Sequence, residues 1–335
     1  MYCRPLPRCR TRVGVWLLAV ALQAATARAA SRPVTAHPTR PATVRVRDFA
    51  RAHGFHVKWL EPDKRLQLSR NGLTLVLNAN SREATVNGLH VWLLKPFEYR
   101  NPAGYLSQLD VDHVVYPLLY PPRNVGGRKV RHICLDPGHG GKDPGYRVGA
   151  HEEQRYTLAL AYELKSQLAQ AGFKVSLTRT GDEFVDLAER PQAARRVGAD
   201  LFLSLHFNAA ADNRQEVRGT EVYCLTPAGA ASTAAGSDGP TSGVLPGNRH
   251  DAKNFRLAFE LQKALHDRLQ AEDRGVRWAR FAVLRDATMP AALIEAGFLS
   301  HPDEGKRILD TAYRRRIAAA IVEGVQAYKR VVERR

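Results

Sequence analysis

One stretch, Ile133-Cys134-Leu135-Asp136-Pro137-Gly138-His139-Gly140-Gly141-Lys142-Asp143-Pro144-Gly145, constrains this chain more than any other. An apolar run of strand formers halts at Asp136-Pro137, because proline has no N–H to give to a sheet ladder. Four glycines then admit backbone conformations closed to other residues. The histidine in this loop stands just past a buried strand, where it can meet a metal ion or a substrate. An ordinary turn with a solvated histidine has the same local sequence, so the residues that accompany it decide.

From Gly126 onward, strands and helices alternate, the pattern of an α/β domain over residues 128–332. Strands are expected at 130–135, 174–178, 201–205, 221–225, 281–284 and 291–294. Helices are expected at 152–171, 186–197 and 254–269, followed by a last one capped by Asp310. Leu158, Ala161, Leu164 and Leu168 recur at helical spacing, and Gly172 stops that helix. Residues 201–205 are almost unbroken by polar side chains, which predicts a central strand. Ile317, Ile321, Gly324, Val325 and Tyr328 mark the inner face of the last helix. Residues 226–252, rich in Gly, Ala, Ser, Thr and Pro, read as a long mobile loop.

The chain of 335 residues carries 50 lysines and arginines against 33 acidic residues, a formal charge of +17. Arg4, Arg8, Arg10 and Arg12 precede an apolar run over 13–25, and Ala27-Arg28-Ala29 offers a small-x-small cleavage site. A basic start, a run short for spanning a bilayer and a cleavage site read as a secretory signal, with a membrane anchor as the alternative. Residues 1–30 are therefore expected to direct export to the periplasm or cell envelope, with no stable membrane insertion once they are removed. Loss of their five arginines takes the charge from +17 to +12. That surplus suits an anionic partner: nucleic acid, acidic headgroups or an acidic wall polymer. Export disfavours nucleic acid, and the charges are scattered, not gathered in blocks. Cys134 and Cys224 sit in apolar, strand-like runs, as buried small hydrophobes or as a pair in an oxidising compartment.

Residues 31–43 are proline-rich and read as a linker. Residues 44–120 then combine one short helix (46–54) with short strands at 57–60, 65–69, 73–77, 84–86 and 90–93, the last two flanking an Asn87-Gly88 turn. This small β-rich unit resembles the copper-amine-oxidase N-terminal-like, or stalk, domain of bacterial envelope proteins. The resemblance implies a spacer or wall-contact module. His53, His56, His90 and His113 lack ligand-like spacing, so no copper is expected.

Four side chains carry the chemistry. His139 follows the first strand of the α/β domain. Glu153 lies in the opening turn of its first long helix. His206 ends the third strand, and Glu295 ends the last, inside the apolar run Ala291-Ala292-Leu293-Ile294-Glu295-Ala296-Gly297-Phe298-Leu299. Three of the four lie at carboxyl ends of strands, the edge where open α/β sheets bind ligands. Two histidines and a carboxylate are the ligand set of a catalytic zinc with one open position, and a second carboxylate is left to move protons. Alternatives stand beside each. Glu153 also suits a helix N-terminus, His151 and Glu152 compete with it as ligands, and His206 can be a satisfied core histidine. Glu295 is costly to bury without a partner, which marks it for function. Asn208 and Arg179 are candidates for orienting ligands or substrate, and His250 and Asp251 for overhanging the cleft.

Five segments occur in order: Leu135-Asp-Pro-Gly-His-Gly-Gly-Lys-Asp-Pro-Gly145, Glu153-Gln154 ahead of Leu158-Ala-Leu-Ala161, Leu177-Thr178-Arg179, Phe202-Leu-Ser-Leu-His-Phe-Asn208, and Met289-Pro290 through Ile294-Glu-Ala-Gly-Phe-Leu-Ser300. Together they resemble the zinc-dependent N-acetylmuramoyl-L-alanine amidases, the amidase type 3 family, over about residues 130–330. The resemblance implies an α/β fold with a mixed sheet flanked by helices, of the phosphorylase/hydrolase-like kind, here preceded by the small β-rich domain. It implies one Zn2+ on His139, Glu153 and His206, Glu295 as catalytic glutamate, and peptidoglycan as substrate, cleaved between N-acetylmuramic acid and L-alanine. Two positions depart from the family pattern, Gln154 where a lysine is usual and Arg195 where an asparagine is usual, and neither is a ligand. Residues 226–252 do not match the helical regulatory insert of the division-associated members. A zinc carboxypeptidase, with Arg179 or Arg190 taking the substrate carboxylate, is the alternative enzyme. A wall-binding protein with a degenerate site is the non-catalytic one, yet no ligand is lost. A P-loop fails because Gly140-Gly141-Lys142 is not followed by Ser or Thr.

Overall fold

The small unit is built on a meander. In a computed structural model, which describes residues 42–234, 239–241 and 243–334, β1 (Thr43–Arg45) leads into α1 (Val46–His53). Gly54 ends that helix at φ 67°, a left-handed cap that glycine takes without strain. Strands β2 (His56–Glu61), β3 (Arg65–Arg70), β4 (Leu73–Asn78), β5 (Ser81–Val86) and β6 (Leu89–Arg100) pair antiparallel in succession. β7 (Ala103–Ser107) turns back along β6 and pairs with β1. The expected signal and nearly all of the expected linker lie outside the described residues.

β6 runs beyond the expected stop at residue 93. Pro96 reads as a strand breaker, but the ladder slips there: β5 pairs with Trp92 and then with Phe97. The Leu94 and Lys95 N–H groups in the slip donate instead to the buried Asp110 carboxylate, at 2.6 and 3.2 Å, so no buried donor is orphaned. Burial pushes the Asp110 carboxyl up to about 6 in spite of those bonds. Asp110 sits in α2 (Gln108–Asp110), which continues through a π-helical turn (Val111–Val115) into α3 (Tyr116–Leu119).

The second part follows with β8 (His132–Pro137), the two-residue strands β9 (Arg147–Val148) and β10 (His151–Glu152), α4 (Glu153–Gln170), β11 (Lys174–Leu177), α5 (Glu189–Arg196), β12 (Leu201–Asn208), β13 (Thr220–Leu225), α6 (Asp251–Leu269), β14 (Asp273–Ala279), α7 (Ala282–Arg285), β15 (Ala291–Phe298), α8 (Pro302–Leu309) and α9 (Thr311–Val332). The sheet order is β11-β8-β12-β15-β13-β14-β6-β5-β4-β3-β2. β11, β8, β12 and β15 are parallel, while β13 runs antiparallel to β15, so the sheet is mixed, as expected. β12 is central to the parallel part. β14 also meets β6, through Val276 and Val91. The small unit's meander thus continues the larger sheet, and the described residues belong to one compact unit.

Alternation along the strands divides the core. Ile133, Leu135, Leu201, Leu203 and Leu205 face α4, α6 and α9, with Leu160, Leu164, Phe255, Ile317 and Ile321 among their neighbours. Cys134 and Phe202 face the other side, with Ala194, Leu284 and Met289. Cys134 and Cys224 are free and buried, and burial pushes the Cys134 thiol up to about 12.

Three expectations are corrected. Residues 281–284, read as a strand, lie instead in and just before the short helix α7 (Ala282–Arg285). The strand lies earlier, in β14, whose Asp273, Arg274 and Arg277 disguise it: both arginines reach Glu221 on the neighbouring strand, at 3.3 and 2.7 Å. α8 was not anticipated. Pro302 opens it, and the His301 ring accepts from the Asp303 and Glu304 N–H groups. The described part of 226–252 is pinned. Arg82 of β5 donates to the Ala231 and Ser232 carbonyls, and Arg277 to that of Thr233; residues Pro246–His250 form a 3-10 turn. Among the described residues no helix is long and apolar enough to cross a membrane.

Candidate metal and catalytic site

At the carboxyl ends of β8 and β12, His139, Glu153 and His206 each offer a donor atom, and these atoms all lie within 4.8 Å of one another. His139 Nε2 is 3.1 Å and His206 Nδ1 3.2 Å from the same oxygen, Oε1 of Glu153. Glu153 is 4% exposed, with Oε1 also accepting from the Phe207 N–H and Oε2 from the Tyr146 N–H. Burial alone would raise its pKa. The hydrogen bonds and charges of the two imidazoles overcome that and hold it well below the usual carboxylate range. The far nitrogen of His139, Nδ1, meets Asp143 Oδ2 at 2.8 Å. That carboxylate fixes the ring so that Nε2 faces the cluster, as outer partners of metal-binding histidines do.

The loop that presents His139 is held from below by two buried guanidiniums. Arg179 donates to the carbonyls of Pro137 (2.9 Å), Gly138 (2.9 Å), Gln154 (2.8 Å) and Gly181 (2.8 Å). Arg190 donates to Asp136 Oδ1 (2.9 Å) and to the carbonyls of Pro137 and His139 (both 3.0 Å). His139 itself is at φ 62°, a conformation that costs a side-chain-bearing residue energy and that these bonds over-determine. Two of the glycines serve proximity. A Cβ on Gly138 would lie 2.2–2.6 Å from the His206 ring, and one on Gly145 would lie 2.6 Å from Glu153 Oε2 and 2.7 Å from His139 Cδ2.

Glu295 lies within β15, level with His206 on one side and with Glu221 on the other. Its Oε2 is sealed from solvent without a hydrogen-bond partner. Burial, then the charges of Glu153 and Glu221, raise its proton affinity well above that of a free glutamate. Glu221, 2% exposed, is itself saturated by Asn208 Nδ2 (2.7 Å), the Tyr223 hydroxyl (2.8 Å), Arg274 and Arg277.

The chain has known relatives. The sequence profile described as N-acetylmuramoyl-L-alanine amidase matches residues 133–327, which include His139, Glu153, His206 and Glu295. The chain belongs to the N-acetylmuramoyl-L-alanine amidase family. The copper amine oxidase N-terminal domain profile matches residues 40–111, the region of the small unit. Among curated amidases, AmiC of Neisseria meningitidis is 37% identical over 230 residues, 62% of this chain and 55% of that protein. AmiA of Escherichia coli is 32% identical over 232 residues, 61% of this chain and 77% of that protein. The chain thus spans about half the length of the Neisseria relative. Among solved structures, the amidase AmiC2 of Nostoc punctiforme superposes with a TM-score of 0.50 at 30% identity, over 59% of this chain and 96% of that one. The amidase of Clostridium difficile 630 does so with 0.50 at 29%, over 60% and 97%.

In this amidase-family chain the competing candidates lie elsewhere. The His151 ring meets the Tyr156 hydroxyl at 2.5 Å, and Glu152 pairs with Arg147 and Gln154. Asn208 acts on Glu221. Arg179 and Arg190 spend their donors on backbone carbonyls and Asp136. His250 and Asp251 do not overhang the cleft: the His250 ring meets the Thr288 carbonyl, just ahead of β15, at the opposite edge of the sheet. Glu221 was missed from the sequence. Its signal was an acid in a buried strand facing two arginines, and β14, which carries them, was not recognised.

Proposed function

We propose that this chain hydrolyses the amide between N-acetylmuramic acid and the L-alanine of peptidoglycan, with one zinc ion on His139, Glu153 and His206 and with Glu295 as general base and acid. The observation that carries the reading is the convergence of two imidazoles and a carboxylate beside a second carboxylate whose Oε2 has no hydrogen-bond partner. The donor set fits zinc: two nitrogens and one oxygen, one histidine braced by an outer carboxylate, and a Glu153 held ionised, as a ligand must be. Zinc bound there supplies a Lewis acid for the scissile carbonyl and lowers the pKa of water to about 7.

The protein's own residues do the rest. Glu295, in surroundings that favour its protonated form, takes a proton from the attacking water and then delivers it to the departing nitrogen. An amine is a poor leaving group until protonated, so a carboxyl that passes readily between both forms suits the second step. Arg179 and Arg190 hold the backbone on which His139 is carried. Their saturation also removes the arginine that a carboxypeptidase would need for its substrate's terminal carboxylate. Export under residues 1–30 brings such an enzyme to the wall, with the small unit as spacer or wall contact.

Digestion of purified sacculi by the zinc-loaded protein tests this reading. Intact stem peptides with a free L-alanine amino terminus are expected. Single terminal amino acids, or no release at all, would overturn it.

A further inference from the structure

The opposite edge of the sheet holds a second concavity, of about 230 Å³, between the amino ends of β8, β12 and β15. Four cationic side chains line it: Arg128 and Lys129 from the connection into β8, Arg195 from the last turn of α5, and Lys253 from the first turn of α6. Of the lining residues, Asp200 alone is acidic. Its Oδ2 is taken by the Arg131 and His132 N–H groups, at 2.9 and 3.0 Å, and its Oδ1 stands 3.5 Å from Arg128. Lys129 reaches Glu333 at 3.4 Å, but Lys329 shares that carboxylate. Positive charge therefore remains in excess.

Like charges gathered in a partly enclosed space repel one another. Burial and then the charge of Arg128 lower the proton affinity of Lys253. The His250 ring on the same wall is lowered by burial and, against its bond to Thr288, by Lys253, Arg249 and Arg128. The amino end of α6, 19 residues long, adds its positive dipole. The cations come from three separate elements around one cavity. A tetrahedral phosphate can accept charge-assisted hydrogen bonds from all of them, whereas a planar carboxylate presents only two oxygens.

We propose that this cavity binds a phosphate-bearing ligand, independently of the hydrolytic site on the other edge of the sheet. The same chemistry occurs in free phosphate and in an anionic phospholipid headgroup, and the experiment separates them. The full chain is titrated at low ionic strength with inorganic phosphate by calorimetry, and in parallel mixed with vesicles of phosphatidylglycerol or of phosphatidylcholine. Saturable phosphate binding, or retention on phosphatidylglycerol vesicles alone, is expected, the first pointing to a free anion and the second to a headgroup. Either is expected to weaken at least about tenfold in Arg128→Ser/Lys253→Met and to persist in Arg51→Ser, a change on α1. Arg195→Ser, which alters only an exposed side chain, repeats the reading without risk to folding. Absence of both forms of binding, or binding undiminished in the double variant and in Arg195→Ser, would overturn the proposal.

Discussion

Gly138 and His206 share a space that admits no further carbon: a Cβ on Gly138 would sit 2.2 Å from Cε1 of the imidazole. Gly138→Ala is therefore expected to push the His206 ring away from His139 and Glu153 while leaving the sheet beneath intact. Zinc affinity, measured by competition with a chelator, should fall about 10–100-fold, the range for disturbing the support of a ligand. Unchanged affinity would mean that the ring relaxes without moving its donor nitrogen.

Glu295 is assigned proton transfer and no part in holding the ion. Glu295→Gln is expected to retain zinc, read by elemental analysis, while stem-peptide release falls about 10²–10⁴-fold. Loss of zinc in this variant would move Glu295 into the ligand set.

Asp136 and Arg190 form an ion pair of 2.9 Å in which both side chains are almost completely buried. Removing Arg190 leaves the Asp136 carboxylate buried without an ion pair, with only hydroxyl donors and the nearby charge of Arg179 to hold it. Arg190→Met is expected to destabilise the protein by about 3–5 kcal/mol in urea unfolding. A loss well below about 1 kcal/mol would show that Thr178 and Ser204, which also donate to Asp136, suffice.

Asp251 supplies a dependence on pH. Burial pushes its carboxyl up to about 7 from an ordinary 3.8, against a hydrogen bond from Asn248. Below 3.8 the folded and unfolded chains both carry the proton. As pH rises toward 7 the unfolded chain releases it first, so this stabilising contribution shrinks by up to about 1.4 kcal/mol per pH unit and then levels off. Relative to Asp251→Asn, the unmodified protein should lose stability over that window, measured by urea midpoints at a series of pH values. Parallel curves would show that the carboxyl ionises freely beside the His113 ring, 3.6 Å away.

Most of the framework was readable along the chain. Strand formers ending at Asp136-Pro137, the apolar run over 201–205 and the helical spacing of Leu158, Ala161, Leu164 and Leu168 are local signals, because periodicity and turn chemistry act between neighbours. β14 escaped for a physical reason. Its arginines look like solvent-facing charge until Glu221, more than fifty positions earlier, is brought alongside to neutralise them. Arg179 and Arg190 stayed open as candidates for a substrate carboxylate for the same reason, since most of their partners are backbone carbonyls that sequence does not distinguish.

The spacing of apolar residues determined that this chain forms an α/β domain and placed four side chains as its chemical candidates, while the order of motifs carried the family resemblance that implied a mixed sheet. Only the folded molecule decided that Glu153 stands between two imidazoles, that Glu295 lies level with His206, that Gly138 is small because a ring passes over it, and that His250 belongs to the opposite edge. Secondary structure follows from interactions within a few residues, whereas a site is made by contacts among residues tens to more than a hundred positions apart, which exist only once the sheet has closed.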